Sequence, residues 1–169
     1  MKVSAGLLLF RKINNHLEFF LVHPGGPFFV KKDAGWWTVS KGELLENEEP
    51  LVAAIREFDE ETGFKPSGDF TELSPITQKG GKKVLCWAVE FNVDASQMVS
   101  NTFEIEWPPR SGQKKIFVEV DKAAWFKYDE AIKLINEKQI PFLDEVVNKF
   151  AGSKSSMKGI KGTLSCNSS

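Results

Sequence analysis

The stretch of residues 42–64 decides the fold, and it reads G-E-L-L-E-N-E-E-P-L-V-A-A-I-R-E-F-D-E-E-T-G-F. Residues that favour helices dominate from Glu49 to Thr62, and four apolar residues recur there at the spacing of one buried helix face. These four are Leu51, Ala54, Ile55 and Phe58. The pattern predicts an amphipathic helix that follows a loop containing a glycine.

Three glutamates form a second stripe of this predicted helix. Glu57, Glu60 and Glu61 are three and four positions apart or adjacent, so their side chains project from neighbouring positions. Like charges at this spacing repel one another. A hard divalent cation would remove that penalty, because Mg²⁺ and Mn²⁺ prefer carboxylate and carbonyl oxygens. The alternative is a solvated acidic face, which is what most runs of glutamate are.

The same stretch matches the signature of the Nudix hydrolases at each specified position. That signature is a glycine, five residues, a glutamate, seven residues, Arg-Glu, an apolar residue, one residue, Glu-Glu, one residue, a glycine and an apolar residue. The matching residues are Gly42, Glu48, Arg56, Glu57, Phe58, Glu60, Glu61, Gly63 and Phe64. The chain therefore resembles the Nudix family, and weaker similarity extends over residues 3–150.

Three flanking segments support the resemblance. Residues 37–42 are similar to the segment that commonly precedes the signature, with Ser40 where many members have proline. Residues 5–11 and 125–131 are similar to the branch that includes diadenosine polyphosphate hydrolases and nucleotide pyrophosphohydrolases. These segments support the fold more strongly than they support a substrate.

The resemblance implies an α/β (α+β) fold in which a mixed β-sheet lies between helices. Within the signature, Arg56 is expected to pair with Glu48 and so to pin the loop before the helix. Gly63 is expected to end the helix in the left-handed conformation that glycine adopts readily. Gly42 is expected to allow a tight bend and, from the family, to offer its carbonyl oxygen to a metal ion.

Metal binding is the second implication of the resemblance. The expected ion is Mg²⁺ or Mn²⁺, and its expected ligands are Gly42, Glu57, Glu60 and Glu61. These three glutamates are also the candidate catalytic residues.

A general base is expected downstream of the signature or within it. Glu119 is the main candidate, and also a candidate metal ligand, because it lies six residues before Trp125, a spacing associated with the downstream acid in relatives. Glu104 and Glu106 are alternatives that would otherwise face solvent on an alternating strand. A glutamate of the signature helix is a further alternative.

The implied reaction is hydrolysis of a pyrophosphate bond in a nucleoside diphosphate linked to another group. A nucleoside triphosphate or a dinucleoside polyphosphate is the expected small-molecule substrate. The alternative function is a non-catalytic Nudix-fold module that binds a nucleotide or a protein. The complete set of signature carboxylates favours the enzyme.

Substrate contacts are harder to predict. Lys41 is either a phosphate contact or an ordinary loop lysine. Trp36 and Phe28, like Phe29 and Trp87, either stack on a base or pack in the core. His23 is a candidate substrate contact, but a single histidine is weak evidence for one.

Composition agrees with one small enzyme domain. The chain has 169 residues and a net charge of −1, so we expect a domain at residues 1–150 and no general attraction to nucleic acid or to an anionic membrane. Cys86 and Cys166 do not suggest a disulfide scaffold. The apolar N-terminal stretch is short and interrupted at Arg11, which argues against a signal peptide. We expect a cytoplasmic monomer or homodimer.

Hydrophobic alternation and turn residues predict the remaining elements. Strands are expected at residues 3–10, 17–22, 36–39, 71–78, 83–91, 101–107 and 116–120. Helices are expected at residues 129–137 and 143–150, with Pro141 as a break between them. Residues 23–35 are expected to form a loop, and residues 151–169 a loose tail.

Overall fold

The computed structural model describes residues 2–151. Within that range the chain forms nine strands and three α-helices. The strands are β1 (Val3–Ile13), β2 (His16–Pro24), β3 (Ser40–Glu43), β4 (Thr71–Glu72), β5 (Ile76–Gln78), β6 (Lys82–Glu90), β7 (Thr102–Glu106), β8 (Lys114–Val118) and β9 (Val120–Lys127). The helices are α1 (Pro50–Thr62), α2 (Tyr128–Leu134) and α3 (Ile140–Phe150).

Seven of these strands form one mixed sheet with β1 at its centre. β1 pairs in parallel with β6 and antiparallel with both β2 and β3. β9 continues the sheet beyond β2, while β4 and β5 pair with β6 on the other side. β7 and β8 form a separate two-stranded hairpin.

Helices cover both faces of the large sheet. Along β1, Ala5, Leu7 and Leu9 pack in the same core as α1, while Leu8 and Phe10 pack in the core that contains residues of α2 and α3. Because both faces are buried, β1 reads as a nearly continuous apolar run. The predicted mixed sheet between helices is confirmed.

Helix α1 begins and ends where the signature predicts. Pro50 lies in its first turn, where a missing backbone N–H costs nothing. Gly63 follows the helix at φ +81°, and its N–H donates to Asp59 O at 2.7 Å. The expected left-handed end of the helix at Gly63 is therefore confirmed.

The segment before α1 differs from the expectation. Trp37 and Thr38 form only single bridges, and the regular strand is β3, so the predicted strand at residues 36–39 was wrong. β3 can approach β1 because Gly6 has no side chain: a Cβ there would lie 2.5 Å from Ser40 O. Gly42 lies within β3 opposite Ala5 rather than at a tight bend.

Two predicted strands are each divided in the structure. The strand expected at residues 71–78 is β4 and β5, which are separated around Pro75, a residue without a backbone N–H for the ladder. The strand expected at residues 116–120 ends as β8, and a new strand, β9, begins at Val120. β9 was missed because residues 123–126 are all partly buried and show no alternation.

The remaining boundaries also shift. α2 ends at Leu134 rather than at residue 137, and Pro141 lies in the first turn of α3 instead of breaking a helix. His23 belongs to β2 rather than to the following loop. Except for Ala151, the expected tail at residues 151–169 lies outside the described residues.

Candidate active site

Gly42 and Glu57 meet at the junction of β3 and α1. A Cβ built on Gly42 would lie 2.0 Å from the carboxylate carbon of Glu57. The glycine therefore leaves the space that the Glu57 carboxylate fills, and its backbone lies directly beside that carboxylate. Burial raises the pKa of Glu57, the like charge of Glu60 adds to the rise, and Arg56 opposes it.

Arg56 joins the loop to the acidic helix face. Its guanidinium makes a bidentate pair with Glu48, with Nε–Oε2 at 2.8 Å and Nη2–Oε1 at 3.0 Å. Glu48 also accepts from Leu45 N at 2.9 Å, so it holds the loop at two points. Hydrogen bonds from Arg56 and Leu45 lower the pKa of Glu48, and the pairing raises the pKa of Arg56. This geometry supports the predicted structural pairing of Arg56 with Glu48.

The same guanidinium has further partners on its own helix. Arg56 Nη1 donates to Glu57 Oε2 at 2.8 Å and lies 3.2 Å from Glu60 Oε1. Two of the three signature-helix glutamates predicted to bind metal, Glu57 and Glu60, are therefore also partners of Arg56, a pairing that was not predicted.

Glu61 is a half-buried carboxyl near the C-terminal end of α1. Burial, with the like charges of Glu57 and Glu119, raises the pKa of Glu61 to about 8. The Ser40 hydroxyl and the Lys41 ammonium oppose the rise. Ser40 Oγ is buried and makes no hydrogen bond of ordinary geometry. Ionisation of Glu61 is therefore disfavoured at this position.

Lys41 lies beside this acidic group on β3. Burial and the like charge of Lys82 lower the pKa of Lys41, while Glu61, Glu43 and Glu57 oppose that change. The structure thus brings the predicted phosphate contact close to the predicted metal ligands. Glu43 is exposed at the end of β3, with its Oε2 3.6 Å from Lys2 Nζ.

Glu119 comes to the same place from the junction of β8 and β9. Burial raises the pKa of Glu119, and the like charges of Glu57 and Glu60 raise it further. Its backbone is held on both sides, because Glu119 N donates to Asn101 O at 2.8 Å and Glu119 O accepts from Gly25 N at 2.9 Å. The structure therefore brings the predicted downstream acid to the signature helix.

The alternative bases lie elsewhere. Glu104 and Glu106 are exposed on β7, and Glu106 Oε2 accepts from Gly112 N at 2.7 Å within the hairpin turn. Both residues alternate with half-buried neighbours along the strand. Their placement favours the solvent-facing reading over the catalytic one.

The donor atoms are of the kind that a hard cation prefers, but the carboxylates are not arranged around one common point. Within residues 2–151, no three His, Cys, Asp or Glu side chains are arranged as a ready ligand group. Arg56 pairs with Glu57 and Glu60, so both carboxylates would have to leave the guanidinium in order to bind a metal ion. The chemistry of this donor set, carboxylate oxygens beside the backbone of Gly42, fits Mg²⁺ or Mn²⁺.

The predicted aromatic contacts lie in the loop between β2 and β3. Phe28 is 61% exposed and packs edge-to-face on Trp107, with ring centroids 5.2 Å apart. Trp36 is 44% exposed and packs on Phe29, with the Lys32 ammonium 5.4 Å from its ring centre. Trp87 is buried in the core beside α1, so its core reading is supported.

His23 has a different role from substrate contact. It is fully buried, with Nδ1 at 2.7 Å from Asp121 Oδ1 and Nε2 at 2.6 Å from Lys32 O. The imidazole thus joins β2, β9 and the loop that carries Phe28. This bridge was missed, because its partners are distant in sequence and no local pattern marks them.

Comparison with known proteins agrees with this geometry. A family model of the NUDIX domain matches residues 2–146. The chain belongs to the Nudix family. No curated protein sequence gives a significant match.

Solved structures of Nudix proteins share the fold at low sequence identity. An Ap4A hydrolase from C. elegans, in a binary complex, is 21% identical with a TM-score of 0.57, over 88% of this chain and 99% of that one. The NUDIX domain of NrtR from Shewanella oneidensis, complexed with ADP ribose, is 15% identical with a TM-score of 0.57, over 87% of this chain and 86% of that one. A MutT/nudix protein from Enterococcus faecalis is 15% identical with a TM-score of 0.60, over 88% of this chain and 62% of that one.

The predicted Nudix hydrolase is thus confirmed at the level of family and fold. The roles of individual site residues, the cytoplasmic location and the oligomeric state stay predictions. Within residues 2–151, no helix is both long and apolar enough to cross a membrane.

Proposed function

We propose that this Nudix hydrolase uses Mg²⁺ or Mn²⁺ to cleave a pyrophosphate bond in a nucleoside diphosphate linked to another group. A nucleoside triphosphate or a dinucleoside polyphosphate is the proposed substrate. The observation that carries the proposal is that Glu57 fills the space beside Gly42, while the charges of Glu57 and Glu119 raise the pKa of Glu61 and the charge of Glu57 raises the pKa of Glu119.

The proposed role of each residue follows from its surroundings. Glu57, Glu60, Glu61 and the carbonyl of Gly42 would hold the cation, and Glu119 would be a further ligand or the base. A bound cation supplies charge neutralisation at phosphate and a lower pKa of bound water. Glu119 is half-buried with a raised pKa, which makes its carboxylate a stronger base than a fully solvated one.

The substrate side of the site involves one lysine and the loop aromatics. Lys41 lies among the carboxylates and would meet a phosphate oxygen as a point charge. Phe28 presents a largely exposed ring, and the loop that carries it is tied to Glu119 through Gly25. Stacking of a base on Phe28 is therefore the proposed contact with the nucleoside, with Trp36 as the second candidate on the same loop.

A substrate screen tests this function. ATP, diadenosine tetraphosphate, ADP-ribose and base-free tripolyphosphate are incubated with Mg²⁺, Mn²⁺ or Ca²⁺, and products are separated by chromatography. We expect turnover with Mg²⁺ or Mn²⁺, little with Ca²⁺ because of its looser coordination, and none with chelator. Undiminished hydrolysis after exhaustive chelation would contradict the proposal.

Two variants of the same helix give a matched comparison. Glu61→Gln removes a proposed ligand, and kcat should fall by orders of magnitude. Asp59→Asn removes a carboxylate of the same helix that belongs to no proposed ligand set and lies 3.7 Å from Lys65 Nζ. Its kcat should be unchanged. Tight nucleotide binding without turnover by the wild type would instead identify the non-catalytic module.

A further inference from the structure

The short segment at residues 99–101 joins the end of α1 to Glu119. Val99 N donates to Thr62 O at 2.9 Å, and Asn101 N donates to Glu60 O at 2.8 Å. These carbonyls lie in the last turn of the helix, where carbonyl groups have no partner within the helix. The segment is thereby registered against the helix residue that carries one of the proposed ligands.

The other side of the segment holds the backbone of Glu119. Asn101 O accepts from Glu119 N at 2.8 Å. Ser100 Oγ accepts from Val120 N at 2.9 Å and donates to Asn101 O at 2.8 Å. One hydroxyl thus binds the amide that follows Glu119 and the carbonyl that receives the amide of Glu119.

We propose that Ser100 is a positioning residue for Glu119. This inference rests on the proposed function, in which Glu119 acts on the cation or the water. With Ser100 in place, the peptide units on both sides of Glu119 are restrained relative to the end of α1. Displacement of a reacting group by about 1 Å can cost a hundredfold in rate, so the loss of this hydroxyl should affect chemistry more than substrate binding.

Substitutions at Ser100 should form a graded series. Ser100→Ala removes the acceptor for Val120 N, and we expect kcat with Mg²⁺ and diadenosine tetraphosphate or ATP, whichever turns over faster, to fall about tenfold. KM should stay within about twofold, because the contact is not to substrate. Ser100→Thr keeps the hydroxyl and should retain activity. Ser100→Cys keeps the size with a weaker hydrogen bond and should be intermediate, which gives a second measurement if the alanine variant does not fold.

A double-mutant cycle separates positioning from a general effect on the fold. If Ser100 acts through Glu119, Ser100→Ala should cost about tenfold in the wild-type background and less than about twofold in the Glu119→Gln background. Ser96→Ala is the matched control: its hydroxyl donates to Asp94 Oδ1 at 2.7 Å in the preceding turn, and kcat should not change.

Two results with the Ser100 variants would overturn the proposal while leaving the hydrolase function intact. One is wild-type kcat in both Ser100→Ala and Ser100→Cys. The other is an equal loss in the wild-type and Glu119→Gln backgrounds, which would identify a structural residue. By contrast, wild-type activity of Glu119→Gln would remove the role of Glu119 and this inference with it, and the absence of turnover by the wild type would overturn the proposed function itself.

Discussion

At the scale of single residues, the acidic group depends on a missing side chain and on one poorly solvated carboxyl. Gly42 leaves room for the Glu57 carboxylate, since any Cβ there would overlap it. Glu61 is half-buried, and its desolvation, together with the like charges of Glu57 and Glu119, raises its pKa to about 8. Both features reduce the solvation of a carboxyl group, and each leads to a prediction.

Gly42→Ala should displace Glu57 and reduce both Mn²⁺ affinity and kcat, the latter by at least about tenfold. The physical reason is the overlap of a new Cβ with the Glu57 carboxylate, at 2.0 Å from its carbon. Mn²⁺ binding is measured by electron paramagnetic resonance and kcat by product release.

Gly35→Ala is the contrasting control for that substitution. Gly35 has φ +85°, and a Cβ there meets nothing within 4 Å. The variant should lose about 1–2 kcal/mol of stability through backbone strain while keeping Mn²⁺ affinity. Equal Mn²⁺ affinity in Gly42→Ala and the wild type would contradict the steric explanation.

The stability of the metal-free protein should depend on pH through Glu61. Its folded pKa of about 8 lies above the ordinary value of 4.5, so between these values the folded protein binds more protons than the unfolded chain. Stability should therefore be greatest below about pH 4.5 for this group, and should fall as pH rises to 8, by at most about 1.4 kcal/mol per pH unit.

Glu61→Gln removes this dependence because the amide does not titrate. In urea unfolding with chelator, the variant should be more stable than the wild type at pH 8.5, and the difference should shrink towards pH 5. The same stability difference at both pH values would show that Glu61 titrates in its ordinary range.

At the scale of elements, the β7–β8 hairpin differs from the rest of the sheet. It is a separate two-stranded unit, and its half-buried face contacts the β2–β3 loop through Phe103 at Gly26 and Trp107 at Phe28. Isolated two-stranded hairpins are marginally stable in water. Hydrogen bonds attach the hairpin to the rest of the domain at Asn101, just before β7, and at Glu119, just after β8.

Amides of β7 and β8 should therefore exchange with solvent at least about a hundredfold faster than those in the middle of β1 and β6. Hydrogen exchange followed by mass spectrometry or NMR measures this difference. Amides of residues 99–101 serve as an internal comparison, since their bonds to α1 should slow them relative to the hairpin. Equal protection of β7 and β1 would mean that the hairpin opens only with the whole domain.

At the scale of the whole molecule, a bound cation should stabilise the fold. Like charges repel one another among the carboxylates of α1 and the β8–β9 junction, which are Glu57, Glu60, Glu61 and Glu119. A cation bound among them would relieve this repulsion, and an ion that binds only the folded state stabilises that state. At a hundredfold excess over its dissociation constant, Mg²⁺ should add about 2.7 kcal/mol to the free energy of unfolding.

Thermal melting with increasing Mg²⁺ or Mn²⁺ measures this effect, and NaCl at matched ionic strength is the control. The melting temperature should rise with the divalent ion and change little with sodium. Glu61→Gln should weaken the response, whereas Asp59→Asn should preserve it. An equal rise with sodium would indicate general screening of charge rather than a specific site.

Much of the helix and its acidic face could be predicted from the sequence. Residues three or four apart on a helix are neighbours regardless of the rest of the chain. The helix alone therefore places Glu57, Glu60 and Glu61 on one face. The same holds for Gly63, whose left-handed conformation ends the helix locally. The strands expected at residues 3–10 and 17–22 likewise correspond to β1 and β2.

The positions of β3 and β9 depend on tertiary structure. β3 lies at residues 40–43 because Gly6, more than thirty residues earlier, lets the two backbones approach. β9 lacks the alternation that marks a strand, and its pairing with β2 across about a hundred residues defines it. Arg56 was expected to meet Glu48, which lies outside the helix, whereas its contacts with Glu57 and Glu60 are local to α1 and were not predicted.

By itself, the sequence determined the family, the helix and the set of carboxylates, because local spacing alone places them together. Only the tertiary structure decided that Glu119 reaches that set and that Ser100 holds its backbone. Ser100 and Val120 are twenty residues apart and meet through one hydrogen bond. Such a contact leaves no periodic trace in the chain, since it depends on how the hairpin returns to the end of α1.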